Sequence, residues 1–172
     1  MRKLIYLLVI AGAAWGGYRY YQSRQVWTPY TSAEGRFAAE FPVAPVADTQ
    51  RVKTREGEVE MRVVHATRGE REYAVAYRYY SGDWDDVSAE KRVQYLTISA
   101  TERGYRVRSS RAIKAGELEG VEVRYEIPGT PGVTTAHLFV RGGRLYNVMV
   151  TAPPFELWPG DSDRFFDSVK LE

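Results

Sequence analysis

The 172-residue chain contains no cysteine, two histidines and three methionines. Without cysteine there are no disulfides, no thiolate zinc sites, no thiol nucleophile and no lipid attachment through sulfur. The two histidines, His65 and His137, have no carboxylate, serine or second histidine at a spacing that recurs in catalytic or metal motifs. Both fall in segments that alternate as strands, so each reads as a satisfied residue of a sheet. Nucleophile elbow, P-loop, dinucleotide fingerprint and HExxH are all missing, and Gly142-Gly143 reads as a hairpin turn because no helix follows it. No cofactor or metal is implied.

An excess of one charge is missing as well. The net charge of +2 comes from 24 basic and 22 acidic residues, and Arg2, Lys3, Arg19 and Arg24 lie in an amino terminus that has no acid. The body therefore carries 20 basic against 22 acidic residues. That balance gives no electrostatic footprint for nucleic acid.

The remaining composition, 44% hydrophobic, 27% charged and 13% aromatic, suits one globular domain. A domain of about 150 residues buries roughly 68–70% of its unfolded surface and needs no covalent staple. Ahead of it, Leu4 to Gly17 is an uncharged, mostly apolar run behind Arg2 and Lys3, with Leu4, Ile5, Leu7, Leu8, Val9, Ile10 and Trp15 as its membrane-seeking side chains. As a helix its 14 residues span about 21 Å, short of a hydrocarbon core of about 30 Å. Tyr18 to Tyr21 extend it to about 27 Å and bring aromatic rings to interface depth. The segment reads as a signal anchor with the amino terminus in the cytoplasm and the body extracytoplasmic, in the periplasm or outside the cell. The alternative is a secreted protein, its signal cut near Ala11-Gly12-Ala13 or Ala14-Trp15-Gly16. The boundary falls between residues 1–25 and a single domain over residues 26–172.

In the body, alternation dominates. Val121 to Ile127 is apolar at every odd position and charged at every even one, the period of a strand with one wet face. Similar alternation predicts strands over Arg36–Phe41, Glu58–Thr67, Glu72–Tyr80, Val133–Arg141 and Leu145–Thr151, separated by glycine- and proline-bearing turns. Sequential hairpins imply an antiparallel sheet. One helix is capped by Ser88, carries Val93, Leu96, Thr97 and Ala100 on one stripe, and ends at Gly104. A second, capped by Asp161 or Ser162, docks through Phe165, Phe166 and Val169.

Two stretches stand out as contact sites. Tyr80, Asp83, Trp84 and Asp85 cluster just before the first helix, although carboxylates are expected there from the helix dipole alone. Phe155 and Trp158 sit in a proline-punctuated loop that would lie over a core edge or meet a partner.

The run Gly35-Arg36-Phe37-Ala38-Ala39-Glu40-Phe41-Pro42, with Arg144-Leu145-Tyr146-Asn147-Val148-Met149-Val150 and Asp163-Arg164-Phe165-Phe166-Asp167-Ser168-Val169-Lys170-Leu171 far downstream, resembles the PsbP-like family and its bacterial extracytoplasmic relatives. The resemblance implies an α+β sandwich, here a central antiparallel sheet of about six to seven strands flanked by two helices, preceded by the N-terminal hydrophobic helix. It also implies a non-enzymatic role and supplies no catalytic residue. Many bacterial relatives carry a lipoprotein cysteine that this chain lacks, so membrane attachment falls to the apolar segment.

The function expected is a membrane-anchored or secreted envelope domain that binds a protein partner. The alternative is a carrier holding a small apolar or lipid ligand between the sheet and the Ser88 helix, which requires a closed apolar cavity of a few hundred Å³ there. A hydrolase using Asp83, Asp85 or Asp86 is the remaining reading.

Overall fold

The computed structural model describes residues 26–54, 57–79, 87–154 and 160–172. The elements in chain order are β1 (Thr28–Ser32), β2 (Phe37–Phe41), β3 (Val46–Thr54), β4 (Gly57–Arg68), β5 (Arg71–Tyr79), α1 (Ala89–Glu102), β6 (Arg106–Ala115), β7 (Leu118–Glu126), β8 (Val133–Arg141), β9 (Arg144–Ala152), α2 (Gly160–Ser168) and β10 (Lys170–Leu171). A seven-stranded sheet runs β3-β4-β5-β9-β8-β7-β6, and a three-stranded sheet runs β1-β2-β10; every pair is antiparallel.

The order follows from short connections. Hairpins build β3-β4-β5 and β6-β7-β8-β9 as two meanders. Helix α1 carries the chain between them, and β9 then pairs with β5 to close the sheet at its centre. The α+β class and the antiparallel sheet expected from periodicity are found. The second sheet and the edge strands β3 and β6 are additions to that expectation.

Strand periodicity decides what each face of the large sheet meets. Tyr73, Val75 and Tyr77 of β5 and Tyr146, Val148 and Val150 of β9 point to one face, where Phe37, Ala39 and Phe41 of β2 and Phe165 of α2 cover them. Phe165 is fully buried, with its ring 5.2 Å from Phe41 and 5.4 Å from Tyr73. The buried Tyr146 hydroxyl donates to the Gly35 carbonyl at 2.7 Å and ties the β1–β2 hairpin to the large sheet.

The opposite face carries Val121, Val123 and Tyr125 of β7 and Ala136 of β8, which pack against Val93 and Leu96 of α1. The Ser88 side chain accepts from the Lys91 amide, as the sequence suggests. At the other end Gly104 takes φ +79°, and the bonds Gly104 N to Thr101 O and Tyr105 N to Ala100 O form a Schellman stop. The apolar stripe of α1 is narrow, and it packs on β6 and β7. Among the described residues no helix covers the β3–β5 half of that face, and the site described next lies there.

Candidate functional site

Between α1 and the open half of the sheet lies a groove of about 450 Å³, within the range of roughly 300–1,000 Å³ that small-molecule sites occupy. Met61 of β4, Ala76 of β5, Leu138 of β8 and Asn147 and Met149 of β9 form its floor. Helix α1 contributes Tyr95 and Ser99, and its C-cap contributes Arg103, spaced i, i+4 and i+8 along one side, with Leu96 and Ala100 beside them. Tyr105, Tyr125 and Ile127 close one end, while Gln50, Val52 and Val59 form the far bank. The lining is mainly apolar, and its charged members are Arg78 and Arg103.

Polar groups converge at one point of the floor. The Asn147 amide nitrogen donates to the Met149 sulfur at 3.0 Å, and the Tyr125 hydroxyl reaches the same sulfur at 3.8 Å. The Asn147 carbonyl oxygen Oδ1 is buried and has no hydrogen-bond partner among the described residues. Burial pushes the Tyr125 hydroxyl up to about 12, with Tyr105 adding to the rise and Arg103 opposing it. Tyr105 stacks on Tyr125 with centroids 5.1 Å apart.

A second concavity, about 640 Å³, lies on the other face between β6–β8 and the α2–β10 segment. There Glu122 receives Nε and Nη2 of Arg111 at 2.8 and 2.9 Å and meets His137 Nε2 at 3.1 Å. The His137 ring lies against Phe166 with centroids 3.9 Å apart. Both Glu122 oxygens are thus engaged, and the histidine is held flat. This is a clamp between strands and helix, and among the described residues that line the concavity there is no hydroxyl side chain.

Burial holds His137 below its ordinary 6.5, against the pull of Glu122. The hydrogen bond from Arg111 holds Glu122 below its ordinary 4.5, with His137 adding to the effect. The unfolded chain therefore binds more protons than the native one on the acid side of each ordinary value, and stability falls as pH drops. Denaturation midpoints are expected to decline as pH falls below 6.5, and further below 4.5 as the carboxylate protonates. His137→Leu should abolish the first decline and keep the second; an unchanged profile would contradict this assignment.

His65 lies on the α1 side of the sheet, 4.0 Å from Glu72, whereas His137 lies on the α2 side. The two histidines therefore do not meet. Tyr80, Asp83, Trp84, Asp85, Phe155 and Trp158, singled out from sequence, lie outside the described residues. So do Asp86 and the apolar segment with Leu4, Ile5, Leu7, Leu8, Val9, Ile10 and Trp15. Among the described residues no helix is long and apolar enough to cross a membrane, and no three metal-ligating side chains cluster. The groove residues escaped sequence reading because seven separate elements, β3, β4, β5, α1, β7, β8 and β9, supply them. Asn147, a lone amide among apolar neighbours in β9, was the one available signal.

The chain superposes on the solution structure of cyanobacterial PsbP (CyanoP) from Synechocystis sp. PCC 6803 with a TM-score of 0.58. The fold is PsbP-like. The match covers 86% of this chain and 94% of the cyanobacterial one at 12% identity, so the likeness is one of architecture. No protein-family model and no curated protein matches the chain. The PsbP-like sandwich implied by the resemblance of its end motifs is the fold observed, and the groove beneath α1 lies within it.

Proposed function

We propose that the protein is a non-enzymatic binding module, tethered to a membrane by Leu4 to Gly17 with its body extracytoplasmic, that receives a small apolar ligand in the groove beneath α1. The single observation supporting this is the groove of about 450 Å³, bounded by Met61, Ala76, Leu96, Leu138 and Met149, which lies between the sheet and the Ser88 helix and is an open concavity among the described residues rather than the closed cavity expected of a carrier. Among the described residues the groove is open along one side, which would admit a ligand without unfolding. Docking of a protein partner is the second reading, favoured by Tyr95 and Ile98 on α1, which are 45% and 47% exposed.

The test is organic extraction of the full-length protein followed by mass spectrometry, with binding of the neutral fluorescent probe N-phenylnaphthylamine. A copurified apolar molecule is expected. Ser99→Trp, which fills the groove from α1, should weaken the probe by about tenfold or more, the equivalent of losing roughly 1.4 kcal/mol of contact, while leaving the denaturation midpoint in place. No extractable ligand together with no probe binding would overturn the carrier reading in favour of a docking surface.

A further inference from the structure

The concavity of about 640 Å³ on the α2 side of the large sheet holds more than the Glu122 clamp. His137, Phe139 and Arg141 are alternate residues of β8 and share its face, so they grade the concavity from a polar end through an apolar middle to a cationic end. In the middle, Ile113, Gly120 and Phe139 stand level across β6, β7 and β8. Gly120 supplies the room for the ring, because a Cβ there would lie 2.4 Å from Phe139. Phe166, Val169 and Leu171 form the opposite wall. With Ile113 and Leu118, these three pack against the main core yet stay half-buried, which leaves an apolar margin open along the groove.

The charges beside that margin are one-sided. Both Glu122 oxygens are taken by Arg111 and His137, and the field of Asp167 falls on His137 at the polar end. Lys114 borders the groove and has the exposed Glu119 at 3.5 Å. Arg141 and Lys170 border it too, and among the described residues neither makes an ion pair. The other acids of these segments, Glu117, Glu119 and Glu172, are exposed and do not line it. The body as a whole has slightly more acids than bases, so the uncommitted cations are a local feature of the groove.

We propose that this groove is a second binding site, for an amphiphilic anion whose apolar body lies along Ile113, Phe139 and Phe166 and whose acid head is met by Arg141 and Lys170. Its size is within the range of small-molecule sites. A neutral apolar ligand would gain nothing from the two cations, and a cationic amphiphile would be repelled by them. The site does not rest on the carrier reading, because the sheet separates it from the groove beneath α1.

The experiment compares two probes of one shape on the full-length protein, N-phenylnaphthylamine and its sulfonated counterpart anilinonaphthalene sulfonate. The sulfonate probe is expected to bind more weakly as salt rises. Decanoate and decyl phosphate should displace it at concentrations several-fold lower than decanol, and acetate, which has a head and no body, should not displace it. Arg141→Gln combined with Lys170→Gln should weaken it by about three- to tenfold, the worth of two exposed ion pairs. The denaturation midpoint and the affinity for the neutral probe should hold in that variant. Ser99→Trp, on the other face, should leave the sulfonate probe bound. Decanoate ahead of decyl phosphate would support a carboxylate head, and the reverse order a phosphate head.

Decanol as effective as decanoate, or an unchanged affinity in the Arg141 and Lys170 variant, would overturn the proposal. Loss of the sulfonate probe on Ser99→Trp would also overturn it and put that probe beneath α1, and so would failure of the probe to bind at all. Loss of the neutral probe alone would remove the carrier reading and leave this site standing.

Discussion

Phe165→Ala is expected to lower the free energy of unfolding by about 3–5 kcal/mol, the largest loss of any single truncation proposed here. The ring is completely buried where three parts of the fold meet: Phe41 of the small sheet at 5.2 Å, Tyr73 of the large sheet at 5.4 Å, and Phe166 of the same helix. Aromatic pairs at such separations contribute beyond the area they bury. The cavity left behind cannot collapse easily, because Phe41 and Tyr73 belong to strands held in register on both sides. Against a total of about 5–15 kcal/mol for a domain, the loss is a large share. Urea denaturation followed by tryptophan fluorescence measures it, since Trp27 sits in the same cluster. A loss below about 1 kcal/mol would mean that α2 does not anchor the fold.

Gly132→Ala should cost about 3 kcal/mol, from two sources that act together. Gly132 has φ +109°, where side chains are strained, and a Cβ there would lie 2.5 Å from the Ala152 carbonyl oxygen and 3.1 Å from its carbon. Those atoms are backbone, so no rotamer change relieves the contact. The next residue, Val133, pairs with Ala152 at the start of the β8–β9 ladder, and any shift propagates into that ladder. Gly129→Ala is the control: its φ of +79° is similarly unfavourable, but nothing lies within 4 Å of its Cβ, so it isolates the conformational part. A Gly132→Ala cost no larger than that of the control would show that the Ala152 contact yields freely.

The parts of the fold that were legible are those where one face is buried and the other wet. Val121, Val123 and Tyr125 are buried and Arg124 between them is exposed, which is why their alternation stood out. Strand β6 did not declare itself. It is an edge strand reading Arg106-Val107-Arg108-Ser109-Ser110-Arg111, with a bulge between Val107 and Ser109, and its positions are half-exposed or exposed. Its pairing is supported by ion pairs of Arg108 with Glu126, Arg111 with Glu122 and Lys114 with Glu119, which periodicity cannot register. Strand β3 is likewise an edge, its pattern broken by Asp48, Thr49 and Gln50.

The site was less legible than the fold. Tyr125 and Asn147 lie 22 positions apart in the sequence, and only the β7-β8-β9 register brings both to the Met149 sulfur. The place of the groove, between the sheet and the Ser88 helix, could be named by element, though the carrier reading called for a closed cavity. Its lining could not, because the narrowness of the α1 stripe shows only when the breadth of the sheet beneath it is known.

Strand β9 is the last long strand made and the middle one placed. During vectorial synthesis the β3–β5 and β6–β8 ribbons emerge first, each with an inner edge that β9 pairs with in the finished sheet. Both the floor of the groove and the seat of α2 depend on that final insertion. A chain ending near Arg141 lacks the strand that pairs with both β5 and β8, and the floor of the groove is complete only once β9 lies between them.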